Sequence, residues 1–81
     1  MDSKEKSFLS VLDKHLNKFF EDHHGDFPES GLYKRIISEV EHLLITNTLK
    51  AAAHNQSKAA KILGLNRNTL RKKMQELSIK V

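Results

Sequence analysis

Residues 66–73, which read NRNTLRKK, are rich in side chains that form hydrogen bonds with anions and with nucleobases. The segment contains two arginines, two asparagines, two lysines and one threonine. Arginine and asparagine can each make paired hydrogen bonds to the edge of a base, whereas lysine and threonine suit phosphate oxygens. The chemistry offered by these residue types is therefore recognition through charge and hydrogen bonding.

The positive charge of the chain is concentrated around this segment. The 81 residues include 14 Lys and Arg against 10 Asp and Glu, which gives a net charge of +4. Residues 1–54 have a net charge of −2, whereas residues 55–81 carry seven basic residues against Glu76 and a net charge of +6. Such separation is typical of a surface that meets a polyanion, although a solvated basic tail has the same composition.

Two short helices with a glycine between them are predicted to position the segment. Asn55 can cap a helix that runs through about Leu63, and Asn66 can cap a second that runs through about Leu77. Gly64 can adopt the left-handed conformation that ends the first of these helices. Two short helices joined at such a corner make a helix-turn-helix. The residues predicted to face inward are Ala59, Ala60, Ile62 and Leu63 on the first helix, Leu65 at the corner, and Leu70, Met74 and Leu77 on the second.

Two longer amphipathic helices are predicted upstream. The first begins near Ser3, and Gly25 and Pro28 end it. The second runs from about Glu29 to Ala53, with apolar residues at helical spacing. Because the chain has only three glycines and one proline, the sequence predicts an all-α fold of four helices.

The long helices present more apolar surface than one chain of this size is expected to cover. A domain this small buries only about 60% of its unfolded surface, and without cysteine it has no disulfide to compensate. We therefore interpret residues 1–81 as one domain in which residues 3–54 form an intertwined homodimer and residues 55–77 form the helix-turn-helix. The alternative is a long helix folded against its own termini. The predicted dimer interface comprises Leu12, Leu16, Phe19, Phe20, Leu32, Ile36, Val40, Leu43 and Leu44, and Ile37, Ile45 and Leu49 widen the apolar stripe of the second helix.

Double-stranded DNA is the partner that a basic helix-turn-helix predicts, because the second helix of the motif enters the major groove and presents its N-terminal residues to base edges. We expect Arg67, Asn68 and Arg71 to read bases from the face opposite Leu70 and Met74. Thr69, Lys72 and Lys73 are predicted to contact phosphates, and Asn55 and Ser57 form a second phosphate site at the start of the first helix. Lys58 and Lys61 add positive charge along that helix. Asn66 is predicted to cap the second helix and to contact DNA as well.

The segment NQSKAAKILGLNRNTLRKKMQEL, residues 55–77, resembles the helix-turn-helix of the Fis family, to which NtrC-type enhancer-binding regulators also belong. The resemblance extends upstream through GLYKRIISEVEHLLI and implies a homodimer that bends DNA, because its paired recognition helices lie closer together than one turn of the duplex. It assigns Asn66, Arg67 and Arg71 to the groove, Asn55, Ser57, Thr69 and Lys72 to the backbone, and Lys58 and Lys73 to flanking DNA. Asn68 matches the NtrC type, whereas the nucleoid proteins of the family have glycine there and also carry an N-terminal arm for which this chain lacks room.

Other classes of function are less consistent with the sequence. No glycine-rich phosphate loop and no paired carboxylates beside a base are present, so we do not expect an enzyme or a cofactor. The five histidines (His15, His23, His24, His42 and His54) fit no compact tetrahedral zinc set. A helical protein-interaction or RNA-binding module with an incidental basic end is the main alternative.

We expect the protein in the bacterial cytoplasm, at the nucleoid, since no export signal or membrane-length apolar run is present. Met1 favours a complete small protein or a domain given a new start codon.

Overall fold

The structure, a computed structural model, describes residues 3–23 and 30–80, and within these ranges it contains four α-helices and no strand. Helix α1 spans Ser3–His23, α2 spans Leu32–Ala51, α3 spans Gln56–Leu63 and α4 spans Arg67–Glu76. The predicted all-α fold class is therefore confirmed. The chain divides into two compact units, Met1–Ser30 with α1 and Gly31–Val81 with the other three helices.

Helix α1 carries its apolar residues along one wide face, as the spacing predicts. The rings of Phe19 and Phe20 lie 5.4 Å apart in a perpendicular arrangement. Gly25 and Pro28, which are predicted to end this helix, lie outside the described residues. Of the residues predicted to form a dimer interface on α1, Leu12, Leu16 and Phe19 are half-buried and Phe20 is exposed.

Helix α2 is shorter at both ends than the sequence predicts. It begins at Leu32 because Gly31 has a φ of 94°, which is outside the helical region. It ends at Ala51 because Ala53 and His54 both have left-handed backbones, with φ of 53° and 65°. The predicted start, Glu29, lies outside the described residues, but a helix that began there could not continue through Gly31. A helix that ended at Ala53 is excluded in the same way, because a right-handed helix cannot continue through residues with positive φ.

The core of the second unit lies where the last turns of α2 meet α3 and α4. The buried Thr48 belongs to this region, and its hydroxyl donates to the carbonyl oxygen of Leu44 at 2.7 Å. A buried hydroxyl with a backbone acceptor avoids the cost of an unsatisfied polar group. The core residues are Ile45, Leu49, Ala52, Ala59, Ala60, Leu70 and Met74, with the partly buried Leu63, Leu77 and Ile79 packed against them.

Two sequence expectations about apolar residues require correction. Ile45 and Leu49, which were expected to widen the dimer stripe, are 3% and 2% exposed and form the core of the second unit. Ile62, which was expected to face inward, is 57% exposed. At about 100° per residue, the positions of Ala59, Ala60 and Leu63 define the buried face of α3, and position 62 falls well to one side of it.

The upstream part of α2 keeps an apolar row that the second unit does not bury. Leu43 is 63% exposed and Leu44 is 54% exposed. Leu32, Ile36 and Val40 are half-buried. Helix α2 therefore has two regions, of which the C-terminal one packs against the helix-turn-helix and the N-terminal one leaves apolar side chains at the surface.

Candidate nucleic-acid interface

The corner between α3 and α4 forms as the sequence predicts. Gly64 has a φ of 74°, and its N–H donates to the carbonyl oxygen of Lys61. The N–H of Leu65 donates to the carbonyl oxygen of Ala60 at 2.9 Å. Together these bonds are a Schellman ending, which satisfies carbonyl groups that a terminating helix otherwise leaves without partners. Ala60 is 3% exposed at this point, consistent with a small residue where the helices approach closely.

Asparagine side chains begin both helices of the motif. The Oδ1 atom of Asn55 accepts from the N–H of Lys58 at 3.1 Å, and the Oδ1 atom of Asn66 accepts from the N–H of Asn68 at 2.8 Å. Both predicted caps are therefore confirmed. The amides of the first turn that are not capped have no acceptor within their helix and remain able to bind an anion.

The polar residues predicted to meet a nucleic acid are at the surface. Nine of the ten are exposed: Asn55, Ser57, Lys58, Asn66, Arg67, Asn68, Thr69, Arg71 and Lys72. The tenth, Lys73, is half-buried. The sequence pattern therefore identifies side chains that are available to solvent, with the exception of Lys73, which is paired with Glu41.

Arg71 lies beside the buried stripe of α4 and not opposite to it. Arg71 and Met74 line the same groove of about 190 Å³, together with Gln56, Gln75 and Ile79. The prediction that Arg71 lies opposite Leu70 and Met74 is wrong. At about 100° per residue, Arg71 is only about 100° around the helix axis from Leu70 and about 60° from Met74, whereas the opposite face is about 180° away. At this groove, the start of α3 lies next to the side of α4 that carries Arg71.

Gln56 and Gln75 are candidate site residues that the sequence interpretation missed. Gln56 is the first residue of α3 and lies next to the capping Asn55, while Gln75 is one helical turn after Arg71. Because residues four apart lie on one face of a helix, the sequence alone indicates that Gln75 is on the same side of α4 as Arg71. The proximity of Gln56 to Arg71 follows only from the angle between α3 and α4.

Lys73 has a partner on α2. Its Nζ atom lies 2.9 Å from Oε2 of Glu41, and both side chains are 33% exposed. The hydrogen bond from Lys73 to Glu41 raises the pKa of Lys73, as do the charges of Glu41 and of Glu76. The lysine was expected at flanking DNA, and the structure instead places its ammonium group against a carboxylate of its own chain.

The described residues contain no group of three or more His, Asp or Glu side chains positioned to hold a metal ion. His15, His42 and His54 are each exposed. Among the helices that the structure describes, none is long and apolar enough to cross a membrane. The capped helices α3 and α4 present hydrogen-bond donors and positive charges at their surface.

Comparison with protein-family models gives a match over residues 36–77 to the model described as bacterial regulatory protein, Fis family. The match includes the core region of α2, the corner and α4. The chain belongs to the Fis family. The resemblance that the segment 55–77 suggested is confirmed. No solved structure matches the chain.

Relatives of this Fis-family chain include proteins of two sizes. It is 49% identical over 72 residues to the DNA-binding transcriptional regulator NtrC of Azospirillum brasilense, a match to 89% of this chain and 15% of that protein. It is 41% identical over 61 residues to a putative Fis-like DNA-binding protein of Ralstonia nicotianae, covering 75% of this chain and 78% of the relative. The DNA-binding protein Fis of Mannheimia haemolytica is 36% identical over 61 residues, with 75% and 61% covered. The chain thus spans about 15% of the length of the NtrC proteins that it matches.

Proposed function

We propose that this Fis-family chain binds duplex DNA sequence-specifically and regulates transcription, with α4 as the recognition helix. The observation that carries the proposal is the capped corner at Gly64, which presents Arg67 and Arg71 from the start of an exposed, basic helix. The names of the relatives, which include DNA-binding regulators, support the same assignment. Its action is binding, without a cofactor, a small-molecule substrate or a membrane, and it takes place at the bacterial nucleoid.

Base edges and phosphates are contacted by different parts of the surface. Arg67 and Arg71 can each bridge O6 and N7 of guanine, and Asn68 can bridge N6 and N7 of adenine. Asn66 contacts the groove in addition to capping α4. Lys72 and Thr69 contact the phosphates beside the groove, and Asn55, Ser57 and Lys58 bind a phosphate at the start of α3.

The protein binds DNA as a homodimer. The apolar row of α2 ends in Leu43 and Leu44, both more than half exposed in the single chain. Large exposed apolar residues in a row are typical of a protein–protein interface. A second copy supplies matching residues, because a two-fold interface uses the same surface on both subunits. The full predicted interface is Leu12, Leu16, Phe19, Phe20, Leu32, Ile36, Val40, Leu43 and Leu44.

The dimer bends the duplex. In the family that the chain belongs to, as the resemblance implies, the two recognition helices lie closer together than one turn of B-DNA. Both can then engage only if the duplex curves toward the protein. Smooth bending of 40–90° over a site of this size costs on the order of 1–6 kcal/mol, so that contacts to both half-sites must offset it.

The test uses the chain itself and duplexes selected from a random pool. Affinity is measured by fluorescence anisotropy for the selected DNA duplex, a scrambled duplex and an RNA duplex of matched sequence, across a salt series. We expect preference for the selected DNA over both others and a steep loss of affinity with salt. The major groove of A-form RNA is too narrow for a helix, so equal binding to RNA and DNA would contradict the proposal. No binding to any duplex would favour a protein-interaction module instead.

A further inference from the structure

The ion pair between Lys73 and Glu41 joins the proposed recognition helix to α2. The two residues are 32 positions apart in the chain, and the Nζ to Oε2 distance is 2.9 Å. Each side chain keeps one third of its surface exposed. The pair is therefore partly shielded, which strengthens the attraction relative to a fully solvated pair.

Lys73 and Arg71 lie on opposite flanks of α4. At about 100° per residue, positions 71 and 73 are separated by roughly 160° around the helix axis. The contacts agree with this geometry, because Arg71 borders the groove with Gln56 of α3 whereas Lys73 borders a cleft with α2. The ammonium of Lys73 is thus on the flank of the recognition helix that faces α2.

The cleft beside this ion pair separates α2 from the end of α4. It has a volume of about 780 Å³, with Tyr33 and Ile37 of α2 on one wall and Glu76 and Leu77 on the other. The core residues that hold α4 in place, Leu70 and Met74, lie on the buried face and not in this cleft. At the cleft, α4 stands apart from α2, and the bond between Lys73 and Glu41 spans the gap.

We propose that Glu41 is a positioning residue of the DNA interface, whose carboxylate holds the Lys73 ammonium against α2 and withholds it from phosphate. This inference rests on the proposed function. An ammonium bound to a carboxylate releases no counterion from DNA unless it first gives up that partner. Sequence-independent affinity is therefore reduced by one contact per chain, while the contacts of Arg67 and Arg71 with bases are unaffected. Glu41 in this way raises the preference for the specific site.

Lys73 and its sequence neighbour Lys72 have different surroundings. Lys72 is exposed, and no described acidic group is paired with it. The hydrogen bond to Glu41 raises the pKa of Lys73, so the lysine is protonated at the near-neutral pH at which DNA binding is measured. Of two adjacent lysines with the same chemistry, one neutralises phosphate and the other neutralises Glu41.

The experiment measures the slope of log affinity against log salt for a random duplex, and the preference for the selected duplex, in the full chain. The variants are Glu41→Gln, Lys73→Met and the double substitution. Glu39→Gln is the matched control, because it removes the same charge from the same helix, where Glu39 pairs with Arg35 at 3.5 Å. Circular dichroism and thermal unfolding establish that each variant is folded.

We expect Glu41→Gln to steepen the slope by about 0.9 for each chain bound, because the released Lys73 then neutralises a phosphate. Binding to random duplex should tighten and the preference for the selected duplex should fall. Lys73→Met should have the same salt slope as the wild type. The double substitution should also have the wild-type slope, because the lysine that Glu41→Gln releases is then absent.

Two outcomes would overturn the inference. One is a slope for Glu41→Gln that is no steeper than that of Glu39→Gln, since Glu41 would then withhold nothing. The other is a slope for Lys73→Met that is shallower by about 0.9 per chain, which would place Lys73 at a phosphate in the wild-type complex. Failure of the proposed function is a separate result, because wild-type chain would then show no salt-dependent affinity for duplex DNA at all.

Discussion

The N–H of Leu65 donates to the carbonyl oxygen of Ala60 across the left-handed Gly64, at 2.9 Å. Two further helices in the described residues end with the same kind of hydrogen bond, from an N–H to the carbonyl oxygen five residues earlier. His54 donates to Leu49 at 2.7 Å at the end of α2, and Ile79 donates to Met74 at 2.8 Å at the end of α4. The left-handed position after α2 is Ala53 and the one after α4 is Ser78, with φ of 53° and 57°. Only α3 of these three helices therefore uses glycine, the residue that this backbone favours.

Glycine at the two other left-handed positions should stabilise the protein. We expect Ala53→Gly and Ser78→Gly each to raise the free energy of unfolding by about 0.5–1 kcal/mol, because relief of the left-handed strain exceeds the entropy that glycine adds to the unfolded chain. Urea unfolding measures the change. Ala51→Gly, two residues earlier in the exposed last turn of α2, is the control and should lower stability by about 1 kcal/mol. Equal effects at positions 51 and 53 would contradict the prediction.

Gly64→Ala should destabilise the corner through its backbone alone. A Cβ atom at position 64 would meet nothing within 4 Å, so no steric clash with a neighbour contributes. The expected loss is about 1 kcal/mol, the cost of placing a non-glycine residue in the left-handed region. Gly64→Asn, which tolerates that conformation better, should lose less. Urea unfolding of both variants makes the comparison, and a larger loss for asparagine would show that side-chain volume matters instead.

Leu44→Asp should prevent dimerisation. Because Leu44 is 54% exposed in the single chain, aspartate there costs little in a monomer but buries a charge in the proposed interface. We expect loss of the dimer in sedimentation and reduced thermal stability, since folding and association are linked. Ile62→Asp is the matched control, because Ile62 is 57% exposed on α3, outside the proposed interface. A wild-type chain that sediments as a well-folded monomer at micromolar concentration would refute the dimer.

Arg71→Ala and Lys72→Ala should weaken DNA binding in different ways. Arg71→Ala is expected to cost roughly 1–3 kcal/mol on the selected duplex and much less on random duplex, because a base contact is lost. Lys72→Ala should weaken binding to both duplexes similarly and make the salt slope shallower by about 0.9 per bound chain. Fluorescence anisotropy on both duplexes at several salt concentrations separates the two patterns. Equal losses on both duplexes for Arg71→Ala would show that it contacts phosphate only.

The base pairs between the two half-sites should alter affinity even though the protein does not touch them. Flexible pyrimidine–purine steps or a narrow A/T-rich minor groove at the centre should bind best, because they lower the cost of bending. The half-sites are held fixed while about five central base pairs are exchanged, and gel mobility reports both affinity and bend angle. Straight DNA with equal affinity for A/T-rich and G/C-rich centres would mean that the dimer reads one half-site at a time.

The stabilising effect of the Glu41–Lys73 pair should disappear at alkaline pH. The folded-state pKa of Lys73 is raised, so its contribution is fully present below the pKa of the unfolded chain and is lost as the pH rises through the folded value. Wild type and Glu41→Gln should therefore differ in unfolding free energy at neutral pH and converge above the usual lysine range. Glu39 pairs with an arginine, which stays protonated, so Glu39→Gln should show no such convergence. If Glu41→Gln and the wild type still differed in unfolding free energy by the same amount at alkaline pH, the ion pair between Lys73 and Glu41 would not be the cause of the difference.

The helix-turn-helix could be predicted from the sequence because its signals are local. Asn55, Gly64 and Asn66 each act on backbone groups within five residues, and the structure confirms all three roles. The all-α class follows in the same way from periodicity and from the scarcity of helix breakers. The sequence does not predict the end of α2, because alanine rarely adopts the left-handed backbone that Ala53 has.

Which side chains share a surface was decided by tertiary structure alone. The sequence shows an apolar stripe along α2, yet the angle at which α3 and α4 pack determines that Ile45 and Leu49 are buried while Leu43 and Leu44 are not. The same packing brings Gln56 to Arg71 and Glu41 to Lys73, residues separated by 15 and 32 positions. Caps and turns depend on neighbours along the chain, whereas ion pairs and cores depend on how the helices cross, and no local pattern specifies that crossing.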